Sequence, residues 1–517
     1  MSVAAARGNA HPRVRVQHGD AARNSLISGS ALMARALAPT LDSRGGATLV
    51  ATDDQVGFER LSSGGTLARR LVAIGGTFEA LGASIVREAA CRVDDEFGDG
   101  AALTAVLTHA LVVEYTRLAA GGADAHLLAA EIESAVARVV EEILRRWSQE
   151  AADPLVARLA ERSVRDGVVA GLVADAVRSS GTDGWVEIVE TVGAPQLDYL
   201  TGARWDLGTI RGPGRISADW GTTRVVVVDD PIHEVAEVLP LVERSCHQVG
   251  RLALVGARIP EEVSRLFAAQ SGRNGLPELV AVRLPVDGVF DDSLEDIAAY
   301  VGADVVSSVS GAGLADVQDR HFGQVAGLVL SDRSLRLTGP LTPERVIARA
   351  NLLRRRAITL PEQADQLRMR AARLDGIVVE LGVLQAFAGS DAVATTRQAV
   401  RVATAAVAGG VVESAATTLY LAARSEAVAG AGDGSDSCFA AALSAPLRRI
   451  LQRQDTDPAR WSLTLDPSSS PASHGADDVQ PTCLVIASVR AAGSAAAAML
   501  RTQVLVHNPT PRGRVAP

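Results

Sequence analysis

A Gly-Asp-Gly at residues 98–100 stands directly before a run of helical spacing, in DDEFGDGAALTAVL (94–107). Backbone amides at a helix start hold phosphate well. A carboxylate beside them suits Mg²⁺, which takes hard oxygen ligands. Gly98, Gly100 and the amides after them would face a phosphate, with Asp99 as the metal ligand. Ala101, Ala102 and Leu103 offer no hydroxyl, so Thr104 is the first one available. The same tripeptide also reads as a turn with an acidic residue at a helix start. On its own it does not separate the two readings.

Composition removes several other chemistries. All 51 basic residues of the Lys+Arg count are arginine. There is therefore no lysine for a Schiff base, and none to reach a β/γ-phosphate from a P-loop. The enrichment in Ala, Arg, Gly and Val reads most simply as a bias of the source genome. A net charge of −9 argues against non-specific nucleic-acid binding. Cys91, Cys246, Cys438 and Cys483 form no CxxC pair, and the nine histidines form no HxxxH or HExxH pair. Few cysteines in a long chain suit a reducing compartment. The opening residues lack a signal-peptide core, and no apolar run is expected to reach the roughly 18 residues that span a bilayer. A cytoplasmic protein is expected, with neither nucleic acid nor membrane as partner.

The elements that must position these residues change character along the chain. Residues 20–145 read as long helices with apolar residues at helical spacing, punctuated by Gly and Asp. Residues 185–340 alternate β-branched runs (WVEIVE, RVVVVDD, RLALVGA, ELVAVRL, ADVVSS, AGLVLSD) with helical stretches, as an α/β domain does. From about 341 the pattern is helical again, with one strand-like GIVVELG and a final buried helix over TCLVIASVRAAGSAAAAMLRTQVLV. A string of three domains fits this order. So does one helical domain built from both ends with the α/β part inserted.

These stretches, in this order, resemble the type I chaperonins, the GroEL-type sixty-kilodalton family. The likeness runs through VQHGDAARNSLISGSALMARALAPTLDSRGG (16–46), FEALGASIVREAACRVDDEFGDGAALTAVLTHAL (78–111), LTPERVIARANLLRRR and AAVAGGVVESAATTL. The resemblance implies a three-domain fold: a helical equatorial domain (1–146 and 409–517), a small intermediate hinge domain (147–199 and 375–408) and an inserted α/β apical domain (200–374). It also implies sevenfold rings that enclose unfolded chains, driven by ATP with Mg²⁺. Fold alone does not carry activity, so the site positions decide.

By that resemblance Thr40, Leu41 and Gly45 belong to the first phosphate loop, Gly98, Gly100 and Thr104 to the second, and Asp99 holds the metal. Other positions depart from the family. Asp42 puts an anion where phosphate approaches. Ser63 and Gln398 replace the carboxylates near the reacting phosphate and the attacking water, so no catalytic residue is intact. Glu413-Ser414-Ala415-Ala416 replaces a glycine-rich loop, and Gln480 replaces a further aspartate. Loss of a positioned base or water-orienting group costs about 10²–10⁴ in rate, or ~3–5 kcal/mol in barrier. Weak or absent hydrolysis is expected.

The resemblance also assigns client binding to Val238, Leu239 and Val242 on one apical helix and Val263, Leu266 and Phe267 on the next. Such stripes are equally often core. In the preceding segment, Trp205 to Gly214, the last two aromatic positions are Pro213 and Gly214. The expected partners are unfolded polypeptides and other subunits, in a homo-oligomeric ring or a mixed ring with an active chaperonin. An active ATP-driven folding chaperonin and a non-chaperone scaffold subunit are the alternatives.

Overall fold

The computed structural model describes residues 14–507 except 42–47, 52–57, 62, 73, 182–183, 192, 201, 208–217, 247–249, 272–276, 285–292, 309–312, 332–333, 361–362, 385–391, 426–433 and 454–478. The chain forms two compact units, one of residues 1–174 with 385–517 and one of 175–384.

In the first unit β1 (Arg15–His18) leads into α1 (Gly19–Leu37), and a tight turn at Ala38–Thr40 follows. Pro39 in that turn has no N–H to continue the ladder. An antiparallel pair, β2 (Thr48–Ala51) and β3 (Phe58–Leu61), precedes α2 (Gly64–Arg70). Then come α3 (Glu79–Phe97), α4 (Ala101–Ala120) and α5 (Ala125–Glu142). Asp124 caps α5 by accepting from the amides of His126 and Leu127. The residues of α4 from Ala101 to Thr108 are all buried, as are Leu111, Val112 and Tyr115. A helix apolar on nearly every side belongs at the centre of a helical core. Beyond it lie α6 (Asp153–Val164) and α7 (Gly167–Ser180).

The second unit holds two sheets. β4 (Trp185–Thr191) and β5 (Gln196–Leu200) flank a later strand; β6 (Ala203–Asp206), β7 (Ala218–Trp220) and β8 (Thr223–Val228) follow. Next come α8 (Leu239–Cys246), β9 (Arg251–Gly256), α9 (Glu261–Gln270), β10 (Glu278–Arg283) and α10 (Ser293–Val301). β11 (Phe322–Leu330), β12 (Ser334–Pro340), α11 (Pro343–Thr359), α12 (Ala364–Asp375) and β13 (Val378–Leu384) complete it. The larger sheet runs β10-β9-β8-β11-β12-β6, with β7 also on β11. β8, β9 and β10 are parallel, and each is a buried Val/Leu/Ala run, as parallel strands covered on both faces must be. Alternation divides them between two cores. Val225, Val227, Ala253, Val255, Val280 and Val282 enter one. Val226, Val228, Leu252, Leu254, Leu279 and Ala281 enter the other. The expected strand ADVVSS does not form; Val306 makes only a single bridge to Val228. The smaller sheet, β4-β13-β5, draws on both stretches expected to form a hinge.

The chain then returns to the first unit through α13 (Ala392–Gly409), β14 (Val411–Glu413), α14 (Ala415–Ala422), α15 (Gly434–Leu443) and α16 (Ala445–Arg453). β15 (Val479–Pro481), α17 (Thr482–Arg501) and β16 (Val504–His507) follow. α13 packs on α6 through Leu159, Val402, Ala406, Val411 and Val479. Both helices fall in the unit of residues 1–174 with 385–517. The final helix is shorter than expected, because Val504–His507 pairs antiparallel with β1. α17 also corrects the reading of apolar runs. With 20 residues and a hydropathy of 1.7 it is long and apolar enough to cross a membrane. Two thirds of that window, 67%, is buried within the protein, where the helix packs on α4 and α5.

Candidate nucleotide site

The starts of α2 and α4, helices α6 and α13 and strand β15 meet around the Gly98–Gly100 turn. Gly98 ends α3 with φ +78°, and Gly100 precedes α4 with φ +96°. Both are left-handed, where a Cβ is strained. The turn is also crowded. A Cβ on Gly98 would lie 3.0 Å from the Gln398 carbonyl oxygen and 3.0 Å from Arg401 Cβ, both on α13. A Cβ on Gly100 would lie 2.8 Å from Val93 Cγ1 and 3.0 Å from Ser488 Oγ. The structure therefore brings the backbone of Gln398 against the Asp99 turn.

Ser63 is the N-cap of α2, and its hydroxyl accepts from the Thr66 amide at 3.4 Å. Serine and aspartate cap equally well, so this position keeps its structural role without a charge. The start of α2 faces the start of α4: a Cβ on Gly64 would lie 2.8 Å from Thr40 Oγ1 and 3.6 Å from the Ala102 amide nitrogen. Thr40 donates its hydroxyl to the Leu37 carbonyl, and Leu41 is buried in the core. Thr104 is fully buried and its Oγ1 has no hydrogen-bond partner. Gly45 and Asp42 lie outside the described residues.

β14 and β15 pair antiparallel, and the Val479 carbonyl of β15 is tied to the Asp99 turn through Arg162. Gln480 pairs with Val412 and is buried, its Oε1 without a hydrogen-bond partner. Glu413 pairs with Val479. Ser414 adopts φ +52°, a left-handed value rare outside glycine, and caps α14 by accepting from Thr417 N. A serine held this way matches a position where the resembled family has glycine.

Each oxygen of the Asp99 carboxylate has a partner. Its Oδ1 accepts from Gly100 N at 2.7 Å, and its Oδ2 lies 3.2 Å from Arg162 Nη2. Arg162 reaches in from α6 and also donates from Nη1 to the Val479 carbonyl at 3.2 Å. Sequence reasoning missed Arg162, which stands 63 residues from its partner. A second carboxylate, Asp94 near the end of α3, is buried beneath α2 and pairs with Arg69 at 2.8 Å. Burial raises its pKa to about 6, against the opposing pull of Arg69.

These residues do not fit a bound Mg²⁺. The site carboxylate already faces a guanidinium, which repels a second cation, and Ser63, Gln398 and Gln480 are neutral. No cluster of three His, Cys, Asp or Glu able to hold a metal occurs among the described residues. The first amides of α4, a 20-residue helix, stand where a helix N-terminus suits phosphate.

The expected client stripe is divided. Val238, Val242, Val263 and Phe267 are buried and join the sheet core of the second unit. Leu239 is exposed and Leu266 half-buried. The first four pack against β8, β9 and β10, so their apolar spacing reflects the core and not a client surface. Trp205 is likewise fully buried, edge-on to Tyr300 at 5.9 Å; residues 208–214 lie outside the described part.

A helical unit built from both chain ends, an α/β unit between them and a glycine turn flanked by two helix starts together define the chaperonin fold. The chain is a divergent homologue of the GroEL-type chaperonins. It is 28% identical over 481 residues to Chaperonin GroEL 1 of Mycobacterium ulcerans, covering 89% of this chain and 88% of that protein. Two crystal forms of the chaperonin gp146 of the Pseudomonas aeruginosa bacteriophage EL 2, solved in the presence of ATP-BeFx, share its fold. Their TM-scores are 0.59 and 0.63 at 18% and 16% identity, over 95% of this chain and 99% of those chains. No protein-family model matches the chain.

Proposed function

We propose that this protein is a chaperonin-like binder of unfolded polypeptides that works without ATP turnover. The observation that carries this reading is the Asp99–Arg162 pair, together with uncharged Ser63, Gln398 and Gln480 where the resembled family has carboxylates. Phosphoryl transfer needs positioned charge and an oriented water. Here the one carboxylate kept in place is paired within the chain, and among the described residues Ser63, Gln398 and Gln480 supply no carboxylate at the other positions. Binding then rests on the assembled surface, in a homo-oligomeric ring or a mixed ring with an active subunit. We place the protein in the cytoplasm, in keeping with the free thiols of Cys91, Cys438 and Cys483.

The test pairs two measurements on the purified chain: suppression of aggregation of an unfolded model protein, and phosphate release from ATP. Suppression without release is the expected result. Suppression that requires ATP hydrolysis identifies an active folding chaperonin, and failure to suppress identifies a scaffold subunit. Either outcome overturns the proposal.

A further inference from the structure

We propose that the cavity between α10 and α11, lined by Arg320, Arg345 and Arg349, is a binding site for a small organic carboxylate. It lies within the second unit and is independent of the reading above.

The cavity has a volume of about 590 Å³, a size that takes small ligands. Besides the two helices, residues 303–305 and the tight turn Asp319–His321 border it. Its charges do not balance. Three guanidiniums line it, with only Glu295 and Asp304 as carboxylates. Buried Asp296 accepts from Arg349 Nε at 2.9 Å, but Arg370, at 2.6 Å, already offsets its charge. One positive charge is left over, and it rests on Arg320. Glu295 is taken by Arg349 Nη1 at 2.7 Å, and Asp304 Oδ1 by Arg345 Nη2 at 2.5 Å. The other Asp304 oxygen stays 4.0 Å from Arg320 Nε.

The group nearest to Arg320 gives it no acceptor. His321 Nδ1 accepts from the Gln318 amide at 2.9 Å. A neutral imidazole has one acceptor nitrogen, so its Nε2 carries the proton. Arg320 Nε lies 3.2 Å from that Nε2, donor facing donor. Burial, aided by the Arg320 charge, holds the His321 pKa below the ordinary histidine value, so the ring stays neutral at pH 7. Among the described residues the Arg320 guanidinium therefore has no acceptor within hydrogen-bond distance, and both terminal nitrogens are available. A guanidinium meets a carboxylate through two parallel bonds. A carboxylate also brings the single negative charge that the lining lacks, whereas a phosphate dianion would set a second one against Glu295 and Asp304. Ala298, Ala299, Ala303 and Ala348 give the cavity short apolar walls, which leave room for an apolar body.

The test uses the full chain and follows 4-fluorobenzoate by fluorine NMR, with trifluoroacetate and inorganic phosphate as competitors. Saturable binding with a dissociation constant below about 1 mM is expected. Arg320→Met is expected to weaken it about tenfold or more. Ala348→Leu, which fills the cavity without changing its charge, is expected to weaken it to a similar extent. Asp304→Asn removes a competing carboxylate and is expected to tighten binding. Arg265→Met, at an exposed arginine of α9 outside the lining, is expected to leave it unchanged. No saturable binding of 4-fluorobenzoate, or binding unchanged in both Arg320→Met and Ala348→Leu, overturns the proposal. So does displacement of the probe by phosphate at lower concentration than by trifluoroacetate. Aggregation suppression and ATP turnover bear on the functional reading alone, so either proposal can fail without the other.

Discussion

Arg162 Nη2 lies 3.2 Å from Asp99 Oδ2, joining α6 to the turn between α3 and α4. The pair is partly buried, with side-chain exposures of 18% and 31%. Charge-assisted bonds of this kind contribute about 1.5–3 kcal/mol, less where water screens them. Arg162→Met is therefore expected to lower the urea midpoint of the helical unit by the equivalent of about 1–2 kcal/mol. Asp99→Asn, whose side-chain oxygen still accepts from Gly100, is expected to cost less. An equal or larger loss in Asp99→Asn would contradict the assignment.

The Gly98–Gly100 turn is rigid by construction. Gly100→Ala places a Cβ at φ +96° and 2.8 Å from Val93 Cγ1. The left-handed conformation alone costs about 1–2 kcal/mol, and the contact adds to it. A drop of about 2 kcal/mol or more in stability is expected, measured by denaturant unfolding of the helical unit. A neutral substitution would mean that the turn relaxes freely and that its geometry is not conserved by packing.

Asp94 gives the helical unit a pH signature. Burial raises its folded-state pKa to about 6, above its unfolded value. Between roughly pH 4 and 6 the native state holds the extra proton, so this group's stabilising contribution is full below that window. It is lost as pH rises through 6. The swing is on the order of 2–3 kcal/mol. Denaturant midpoints measured from pH 4 to 7 are expected to fall from this cause in the wild type and to flatten in Asp94→Asn. A midpoint slope unchanged by the substitution would place the titration elsewhere.

The apolar stripe of the second unit separates stability from client capture. Phe267→Ala empties a site in the sheet core and is expected to cost about 3–5 kcal/mol. Leu239→Ser changes an exposed residue and is expected to stay within about 0.5 kcal/mol. If the second unit captures clients through this helix, Leu239→Ser is the variant that lowers aggregation suppression without lowering the melting temperature. Loss of stability in Leu239→Ser would show that it too is core.

Much of this was legible in the sequence, and what was not has physical causes. The long helices showed their period, and the Val-rich parallel strands stood out as continuous apolar runs. The three- and four-residue strands β1, β14, β15 and β16 did not, because pairs so short are fixed by tertiary contact and not by pattern. The Gly-Asp-Gly turn was visible from its glycines. Arg162 was not, because a distant ion pair leaves no local spacing to read. The stripe of Val238, Val242, Val263 and Phe267 read equally as surface or core, because helical period marks an apolar face without saying what covers it.

The most direct test of the central claim is phosphate release from ATP by the purified full-length chain with Mg²⁺, run beside Asp99→Ala. The account predicts release at the buffer background for both proteins. Magnesium-dependent turnover comparable to that of an active chaperonin, abolished in Asp99→Ala, would contradict it.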